Sequence, residues 1–231
     1  MRKLGLIGGM SWVSTRIYYG WINRLVQRRA EPMASAPLII DSLDFRSLHG
    51  LHEPEDWARA AQVLGESARQ LEGAGATAIV IGANSMHKVY DEVAEQVGIP
   101  IIHIAECVGR RMKAEGVGSA ALIGTRNVMT ENFYRQRLVA HGIDLLPPDM
   151  DNVEQLDRII YEELMLGKAT RDAERALKTI LTRKEQDGAE AIVLAATELD
   201  LVVDVDANVL PIYDSTRIHA EKAAEWILGE G

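Results

Sequence analysis

The chain contains 231 residues, of which 47% are hydrophobic and 26% are charged, values typical of a globular protein and not of a disordered chain or a fibre. The formal net charge of −9 argues against a nucleic-acid-binding protein, because such binding needs a basic surface that displaces counterions. The single cysteine, Cys107, excludes an intrachain disulfide and a zinc site built from several thiolates.

The sequence contains no segment that predicts export or insertion into a membrane. The apolar run Leu4–Ile7 ends in two glycines, and it is too short for a signal peptide or for a transmembrane helix. No other stretch approaches the roughly 18 apolar residues that a transmembrane helix needs. We therefore expect a cytoplasmic protein that binds neither a membrane nor nucleic acid.

Short apolar runs alternate with longer segments of helical periodicity along the chain. The predicted strands are Lys3–Ile7, Leu38–Leu43, Ala78–Ile81, Ile101–Ile102, Ala120–Ile123, Ile192–Leu194 and Leu210–Ile212. The predicted helices are Thr15–Arg28, Asp56–Gly73, Met86–Gln96, Glu106–Ala114, Thr130–His141, Glu154–Leu166, Arg171–Asp187 and Thr216–Leu228. Nearly continuous apolar strands are typical of parallel sheets that are covered on both faces, so this alternation predicts a doubly wound α/β fold.

A weak internal repeat predicts that this fold occurs twice. The segment Gly75–Ile81 is identical to Gly188–Leu194 at five of seven positions, and two shorter matches keep the same order along the chain. We therefore predict two similar α/β halves with parallel sheets, related by a pseudo-two-fold axis. The first half is expected to comprise residues 1–115 and 215–231, and the second residues 116–214.

Polar and glycine-rich segments follow four of the predicted strands, at the edge of a parallel sheet where ligands usually bind. These segments are Gly8–Thr15, Gly82–Lys88, Gly124–Asn127 and Ala195–Glu198. Their backbone N–H groups and hydroxyls are suited to bind a carboxylate or a phosphate, although Ser, Thr and Asn at such positions also serve simply as helix caps. The glycines do not form a dinucleotide-binding fingerprint, and the sequence contains no Walker A motif.

Several of these segments resemble the aspartate/glutamate racemase family, in particular its broad-specificity amino-acid racemase branch. The motifs that carry the resemblance are Gly8-Gly9-Met10-Ser11-Trp12 with Ser14-Thr15, Asn84-Ser85-Met86-His87-Lys88, Gly124-Thr125-Arg126, Phe133-Tyr134, Tyr161-Glu162-Glu163-Leu164 with Gly167, Thr197-Glu198, and Ile218-His219-Ala220-Glu221. The resemblance implies two α/β halves with the active site in the cleft between them. It also implies a homodimer that works without pyridoxal phosphate, any other cofactor or a metal.

The same resemblance identifies a departure from the family's chemistry. Family members use two cysteines on opposite faces of the substrate Cα, one to remove the α-proton and the other to deliver a proton. The positions that match these cysteines are Gly82 and Ala196, and neither side chain can transfer a proton. Cys107 lies outside both motifs and is interpreted as a small hydrophobic core residue. Two-thiol racemisation is therefore not expected, whether the replacement is natural or engineered.

Other polar residues of the matching motifs are candidates for a binding or catalytic site. Glu198 and His87 are the candidate acid/base groups. The alternatives for Glu198 are binding of a substrate amino group and a favourable charge in a first helical turn, and the alternative for His87 is a scaffold role. The candidate substrate-binding residues are Met10, Ser11, Arg46, Asn84, Ser85, Thr125, Lys168 and Thr197. Arg46 and Lys168 are candidates for binding a distal carboxylate or are ordinary surface cations, and Met10 either lines the pocket with Trp12 or packs in the core.

Three functions remain open from the sequence. The first is an isomerase or lyase with diverged chemistry that acts on a small amino or carboxylic acid bound between the two halves. The second is a protein of the same fold that binds an amino acid and catalyses nothing. The third is an ordinary racemase for which the family label misleads about the activity.

Overall fold

The computed structural model describes residues 1–206 and 208–230, and these residues form an alternating series of strands and helices. The strands are β1 (Leu4–Gly8), β2 (Leu38–Ser42), β3 (Ala78–Ile81), β4 (Ile101–Ile102), β5 (Ser119–Gly124), β6 (Asp144–Leu145), β7 (Ile192–Ala195) and β8 (Ile212–Asp214). The α-helices are α1 (Trp12–Arg29), α2 (Pro54–Gly73), α3 (Tyr90–Ala94), α4 (Ile104–Ala114), α5 (Arg126–Thr130), α6 (Asn132–Ala140), α7 (Met150–Glu162), α8 (Arg171–Gln186) and α9 (Ser215–Leu228). Short 3-10 helices cover Phe45–Ser47, Ser85–Val89, Leu164–Leu166 and Thr197–Leu201.

The strands form two parallel four-stranded sheets with the same internal order. The first sheet has the order β2-β1-β3-β4, and the second has the equivalent order β6-β5-β7-β8. The predicted α/β class and the two similar halves are therefore confirmed. In each sheet the chain begins at a central strand and the direction of winding reverses beside it, between β1 and β3 and between β5 and β7. In doubly wound folds this switch point is where ligands bind, beyond the carboxyl ends of the strands.

Contacts between Cα atoms divide the chain into two units. Unit 1 contains Met1–His103 and the chain from His219 onward, and unit 2 contains Ile104–Ile218. The sequence analysis assigned α4 to the first half, whereas it belongs to unit 2, because its Val108 and Met112 share a core cluster with Leu122 of β5.

The sheet of unit 1 is covered on both faces. On one face, Ile7, Ile79 and Ile81 pack with residues of α2 such as Leu64 and Leu71. On the other face, the alternate strand residues pack against α1 and the last turns of α9; this cluster includes Leu4, Leu6, Val80, Tyr18, Ile22 and Ile227. Because both faces of each strand are buried, the strands are continuously apolar in sequence.

The sheet of unit 2 is built in the same way. Ile123, Ile192 and Leu194 belong to a core cluster that includes Leu156 of α7 and Leu177 of α8. The opposite face carries Leu122 and Val193 with residues of α4 and α6, including Val108 and Leu138. The amphipathic pattern that predicted a helix over Arg171–Asp187 places its apolar side in the first of these clusters.

Several local features differ from the predicted elements. The predicted helix Thr130–His141 is interrupted at Glu131, whose extended backbone (φ −92°, ψ 161°) separates α5 from α6. Strand β6 was missed because it is a two-residue edge strand that begins with the polar Asp144. Strand β8 begins after Pro211, not at Leu210, because proline has no N–H to donate to the sheet.

The predicted helix Met86–Gln96 is also divided, into a 3-10 helix and α3. Instead of an α-helical bond to Ala83, the backbone N–H of His87 donates to the carbonyl of Asn84 at 3.2 Å. The carbonyl of Ala83 accepts a hydrogen bond from Nδ1 of the His87 side chain at 3.0 Å. The imidazole therefore takes the place of a backbone donor, and the turn after β3 has 3-10 geometry.

Across residues 1–206 and 208–230, no helix combines the length and the apolarity needed to cross a membrane.

Candidate functional site

The loop after β1 in unit 1 is ordered by its own hydrogen bonds. Gly9 has a left-handed φ of 79°, and a Cβ at this position would overlap the backbone of Leu43, so the position requires glycine. The N–H of Gly9 donates to Oγ1 of Thr15 at 2.8 Å, and that hydroxyl donates to the carbonyl of Ser11 at 3.1 Å. Oγ of Ser11 accepts from the N–H of Ser14 at 3.4 Å and caps α1. Ser11 thus has the capping role considered as its alternative, and a role in binding remains a prediction.

Asn84 differs from the other polar residues of this unit because its side chain is buried and unsatisfied. It lies just beyond the end of β3 with 4% of its surface exposed. In the described part of the chain, neither its Oδ1 nor its Nδ2 has a hydrogen-bond partner. A buried amide without partners costs about 1–3 kcal/mol for each lost group, so native proteins rarely retain one without a reason. An amide supplies one acceptor and two donors, which match the ammonium and carboxylate groups of an amino acid.

His87 belongs to the 3-10 helix that follows Asn84, and its side chain lies in a buried group of aromatic rings. It is 2% exposed, and its ring centroid lies 4.7 Å from that of His103 and 5.9 Å from that of His219. Because a carbonyl only accepts, the Ala83 contact fixes the proton on Nδ1 of His87. In the neutral ring the remaining lone pair is then on Nε2. His87 therefore orders the turn that carries Asn84, and its geometry is compatible with an additional acid/base role.

The sequence analysis did not identify the environment of His219. Its Nε2–H donates to the carbonyl of Ile102 at 2.9 Å, and the hydroxyl of Tyr18 donates to its Nδ1 at 2.7 Å. Complete burial, reinforced by the nearby His87, lowers the pKa of His219 to about 3. The neutral ring therefore links α1, β4 and α9 within unit 1.

We expect acid to destabilise the protein through His219. The unfolded side chain binds a proton below about pH 6.5 and the folded one only below about pH 3, so the stabilisation is complete above pH 6.5 and is lost as the pH falls between these values. One such proton changes the free energy of unfolding by about 1.4 kcal/mol per pH unit. Urea unfolding of His219→Gln should show a weaker pH dependence between pH 6.5 and 4.5. The exposed His52 is the control, and an unchanged slope in His219→Gln would contradict the assignment.

Gly82 and Ala196 follow β3 and β7, the strands that flank the switch points of the two units. At Gly82 a Cβ would lie 3.1 Å from the carbonyl oxygen of Ile7 and 3.3 Å from Cδ1 of Leu6, which is tight but not prohibitive. Ala196 has ordinary extended backbone (φ −141°, ψ 128°) and is 6% exposed. Cys107 lies on α4, where it is partly buried and packs against the hydrophobic core of unit 2.

In unit 2, the loop after β5 resembles a helix cap. The hydroxyl of Thr125 donates to Oδ1 of Asn127 at 2.7 Å, and the same oxygen accepts from the N–H of Val128 at 2.9 Å. These bonds order the start of α5. Thr125 occupies the N-cap position of α5, but its side chain makes no capping hydrogen bond itself, and its role in binding a substrate remains a prediction.

The turn after β7 carries a buried carboxylate. Thr197 and Glu198 are each 4% exposed, and the Thr197 hydroxyl donates to Oε2 of Glu198 at 3.0 Å. Burial, followed by the negative charges of Asp157 and Glu198, raises the pKa of Tyr161 to about 12. Glu198 is thus a buried acidic side chain at the switch point of unit 2, where ligands bind in doubly wound folds.

A group of ion pairs connects the 3-10 helix Thr197–Leu201 to the start of α9. Nη2 of Arg217, on the first turn of α9, donates to Oδ1 of Asp200 at 3.1 Å, and its Nε lies 3.4 Å from Oδ2 of Asp214. Asp214 is 5% exposed, and it caps α9 by accepting from the N–H of Thr216 at 2.8 Å. Burial, followed by the charge of Asp200, raises the pKa of Asp214 to about 6. Arg217 thus joins two aspartates that belong to different elements of the chain.

We expect Arg217→Met to destabilise unit 2 more at pH 8 than at pH 5. The raised pKa means that Asp214 favours folding below about pH 3.8 and that this contribution is lost as the pH rises through 6. Removing the guanidinium leaves the ionised Asp214 buried and unpaired, which should cost about 2–3 kcal/mol at pH 8. Chemical unfolding measures both values. The exposed pair of Arg175 and Asp172 is the control, for which Arg175→Met should cost less than about 0.5 kcal/mol. Equal losses at the two pH values would contradict this account.

The remaining candidates lie in different environments. Met10 is 3% exposed and belongs to the core cluster of unit 1, so it packs in the core. Arg46 is exposed, and its Nε donates to both carboxylate oxygens of Asp44, at 3.1 and 2.9 Å. Ser85 begins the 3-10 helix of unit 1. Lys168 lies on an exposed loop of unit 2, where its backbone N–H donates to the carbonyl of Glu163 at 3.0 Å.

Known proteins are similar to this chain in both sequence and fold. A structure from Yersinia pestis assigned to the Asp/Glu racemases is 40% identical, covers 99% of this chain and 100% of that chain, and superposes with a TM-score of 0.89. An aspartate racemase homologue from Pyrococcus horikoshii is 32% identical over 99% of this chain and 100% of its own, with a TM-score of 0.85. The broad specificity amino-acid racemase RacX of Bacillus subtilis is 24% identical over 177 residues, which are 76% of this chain and 75% of that protein.

The family assignment rests on most of the sequence. The model of the Asp/Glu/hydantoin racemase family matches residues 7–223. This match spans the loops after β1, β3, β5 and β7, which carry most of the candidate residues, and it confirms the resemblance derived from their motifs. The chain belongs to the Asp/Glu/hydantoin racemase family.

Proposed function

We propose that this protein binds a small amino acid or carboxylic acid and acts on it as an isomerase or lyase, without the two-thiol chemistry. The observation that carries the proposal is Asn84, a buried amide beyond β3 without a hydrogen-bond partner in the described part of the chain. The burial of this unpaired amide is explained if a polar ligand completes its hydrogen bonds. The similarity to RacX, a broad specificity amino-acid racemase, supports an amino acid as that ligand.

The proposed acid/base groups are Glu198 and His87. The α-proton of a carboxylic acid is weakly acidic, and a positioned acid or base typically contributes 10²–10⁴-fold to the rate of its removal. Glu198 is buried beside the Thr197 hydroxyl, and His87 carries its proton on the nitrogen bound to Ala83. Ser11, Ser85, Thr125 and Thr197 are the proposed partners for the polar groups of the ligand. The proposed reaction uses neither pyridoxal phosphate nor a metal. The proposed form of the protein is a cytoplasmic homodimer.

One observation favours the second candidate, a protein that binds an amino acid without transforming it. His87 is buried among His103, His219 and Tyr90 and orders a turn through its bond to Ala83. A histidine used in this way is a scaffold residue. If Glu198 is also structural, neither of the two proposed acid/base groups removes the α-proton.

Binding and proton exchange, measured together, test the proposal. The whole protein is titrated by calorimetry with the D- and L-forms of alanine, methionine, phenylalanine and aspartate, and the same acids are incubated with it in deuterated water. Deuterium at Cα supports the enzyme, while binding without exchange or any product supports the non-catalytic alternative. Failure of every acid to bind contradicts both.

The isosteric variant Glu198→Gln assigns the proposed base. Because the amide oxygen can still accept from Thr197, we expect affinity to change less than about 3-fold, while exchange falls by about 100-fold or more. Glu190→Gln is the control: this glutamate accepts hydrogen bonds from the N–H groups of Gly118 and Ser119 and is not part of the proposed site. Undiminished exchange in Glu198→Gln would contradict its role as the base.

A further inference from the structure

A pocket of about 410 Å³ lies in unit 1 beyond the ends of β1 and β2. Its lining includes Gly9, Trp12, Asp44, Phe45, Arg46 and His49. Its volume is within the range of about 300–1,000 Å³ that is typical of small-molecule sites. We refer to it as the β1–β2 pocket. The sequence analysis considered Trp12 and Arg46 separately and did not place them in one pocket.

The pocket lies close to Asn84 across the sheet. Strand β1 lies between β2 and β3, with Gly8 opposite Ser42 on one side and Ile7 opposite Ile81 on the other. Neighbouring strands are about 4.8 Å apart, so the loop after β3 and the pocket are separated by roughly one or two strand spacings. This is the scale of one amino acid. A ligand whose polar groups meet Asn84 can therefore extend its side chain past Gly9 into the β1–β2 pocket.

The walls of the pocket present aromatic surface to a ligand. Trp12 is 58% exposed although it begins a helix whose inner face is well buried. The rings of Phe45 and His49 meet edge to face with their centroids 5.7 Å apart. Aromatic residues that line a concave site bind apolar groups through large contact areas and ring stacking.

The only arginine in the pocket lining is already matched by a carboxylate. Arg46 donates from Nε to both oxygens of Asp44, and this pairing lowers the pKa of Asp44 and raises that of Arg46. An acidic ligand side chain would meet the charge of Asp44 beside that of Arg46, in a position open to solvent where single ion pairs contribute little. The pairing with Asp44 therefore does not favour a distal carboxylate at Arg46, which was the role considered for this residue. A second guanidinium, that of Arg16, lies over the Trp12 ring at 5.7 Å from its centroid.

We infer that the β1–β2 pocket binds the side chain of the substrate and selects an amino acid with a large apolar or aromatic side chain over an acidic one. The inference rests on the proposed function, since it assumes that Asn84 binds the polar groups of the same ligand. Trp12 and Phe45 are then specificity-determining residues, and Asp44 excludes acidic side chains by neutralising Arg46.

Calorimetry on the full chain with phenylalanine, methionine, alanine and aspartate tests this inference. We expect phenylalanine and methionine to bind at least about 10-fold more tightly than aspartate. Trp12→Ala should weaken phenylalanine binding by about 10-fold and alanine binding by less than about 3-fold, because alanine does not reach the pocket. Asp44→Asn should raise the affinity for aspartate by several-fold. The matched control is Tyr19→Ala, which removes an exposed aromatic ring of α1 outside the pocket and should change none of these values.

The outcomes separate the inference from the proposed function. If aspartate binds most tightly, or if Trp12→Ala weakens phenylalanine and alanine equally, the pocket does not select the side chain and the inference is wrong, while the proposed function stands. If none of the four acids binds, the proposed function fails and the inference fails with it. Selective loss of phenylalanine binding in Trp12→Ala, together with a gain for aspartate in Asp44→Asn, supports both.

Discussion

Asn84→Ala is expected to weaken binding of the substrate acid by about 10–100-fold while leaving the ligand-free protein as stable as before or more stable. Hydrogen bonds to charged groups contribute about 1.5–3 kcal/mol each, which sets the expected loss of affinity. In the ligand-free protein the substitution removes an amide that is buried without partners in the described part of the chain. That gain offsets the small cavity left by the shorter side chain.

Asn23→Ala is the matched control for this variant. Its Nδ2 donates to the carbonyl of Tyr19, and its Oδ1 accepts from the N–H of Ala36, both at 2.9 Å. This substitution should lower the free energy of unfolding by about 1 kcal/mol and leave affinity unchanged. Calorimetry and urea unfolding on the two variants give the four values needed. A large loss of stability in Asn84→Ala with unaltered affinity would show that Asn84 is structural.

The double variant Gly82→Cys/Ala196→Cys is expected to exchange the Cα proton of a bound amino acid at least about 100-fold faster than the parent protein. The reason is chemical: a thiol at each position supplies an acid/base group, and one such group contributes about 10²–10⁴-fold. Exchange into deuterated water, followed by mass spectrometry, measures the gain. The residue at 196 is already in backbone that any side chain adopts.

A side chain fits less easily at position 82 than at position 196, so the controls must separate a loss of folding from a lack of activity. A Cβ would lie 3.1 Å from the carbonyl oxygen of Ile7, so the substitution should cost about 1–3 kcal/mol through local displacement. Gly82→Ser/Ala196→Ser has a similar size without the thiols and should fold with no gain in exchange. A double cysteine variant that folds and binds the acid but exchanges no faster would show that these positions do not face the substrate Cα.

The sequence predicted the fold well because parallel strands buried on both faces leave a clear signal. Ile79, Val80 and Ile81 are apolar without interruption since two helical layers cover them, and the equivalent run at Ile192–Leu194 has the same cause. Two-residue strands such as β6 carry no such signal. The α5–α6 break at Glu131 depends on backbone geometry that residue type alone does not determine.

The candidate site was predictable only in part. Ser11 and Asn84 are both polar residues after a strand, and the sequence alone does not reveal that one caps a helix while the other has no partner among the described residues. The link between Tyr18 and His219 spans 201 positions and follows from the fold. The pairing of Arg46 with Asp44, two residues away, is local, and their spacing was a usable signal.

Helix α9 also affects the order in which the two units can form during translation. Unit 1 is discontinuous: Ala220, Ala223 and Ile227 complete a cluster that includes Leu4 and Leu6, and the N–H of Arg2 donates to the carbonyl of Ile227 at 2.7 Å. The ribosome makes Ile104–Ile218 in between, which at about 5–20 residues per second takes on the order of ten seconds. During this time the N-terminal part of unit 1 lacks the α9 residues that cover its core cluster. Unit 2 is therefore the first unit whose whole sequence is available for folding.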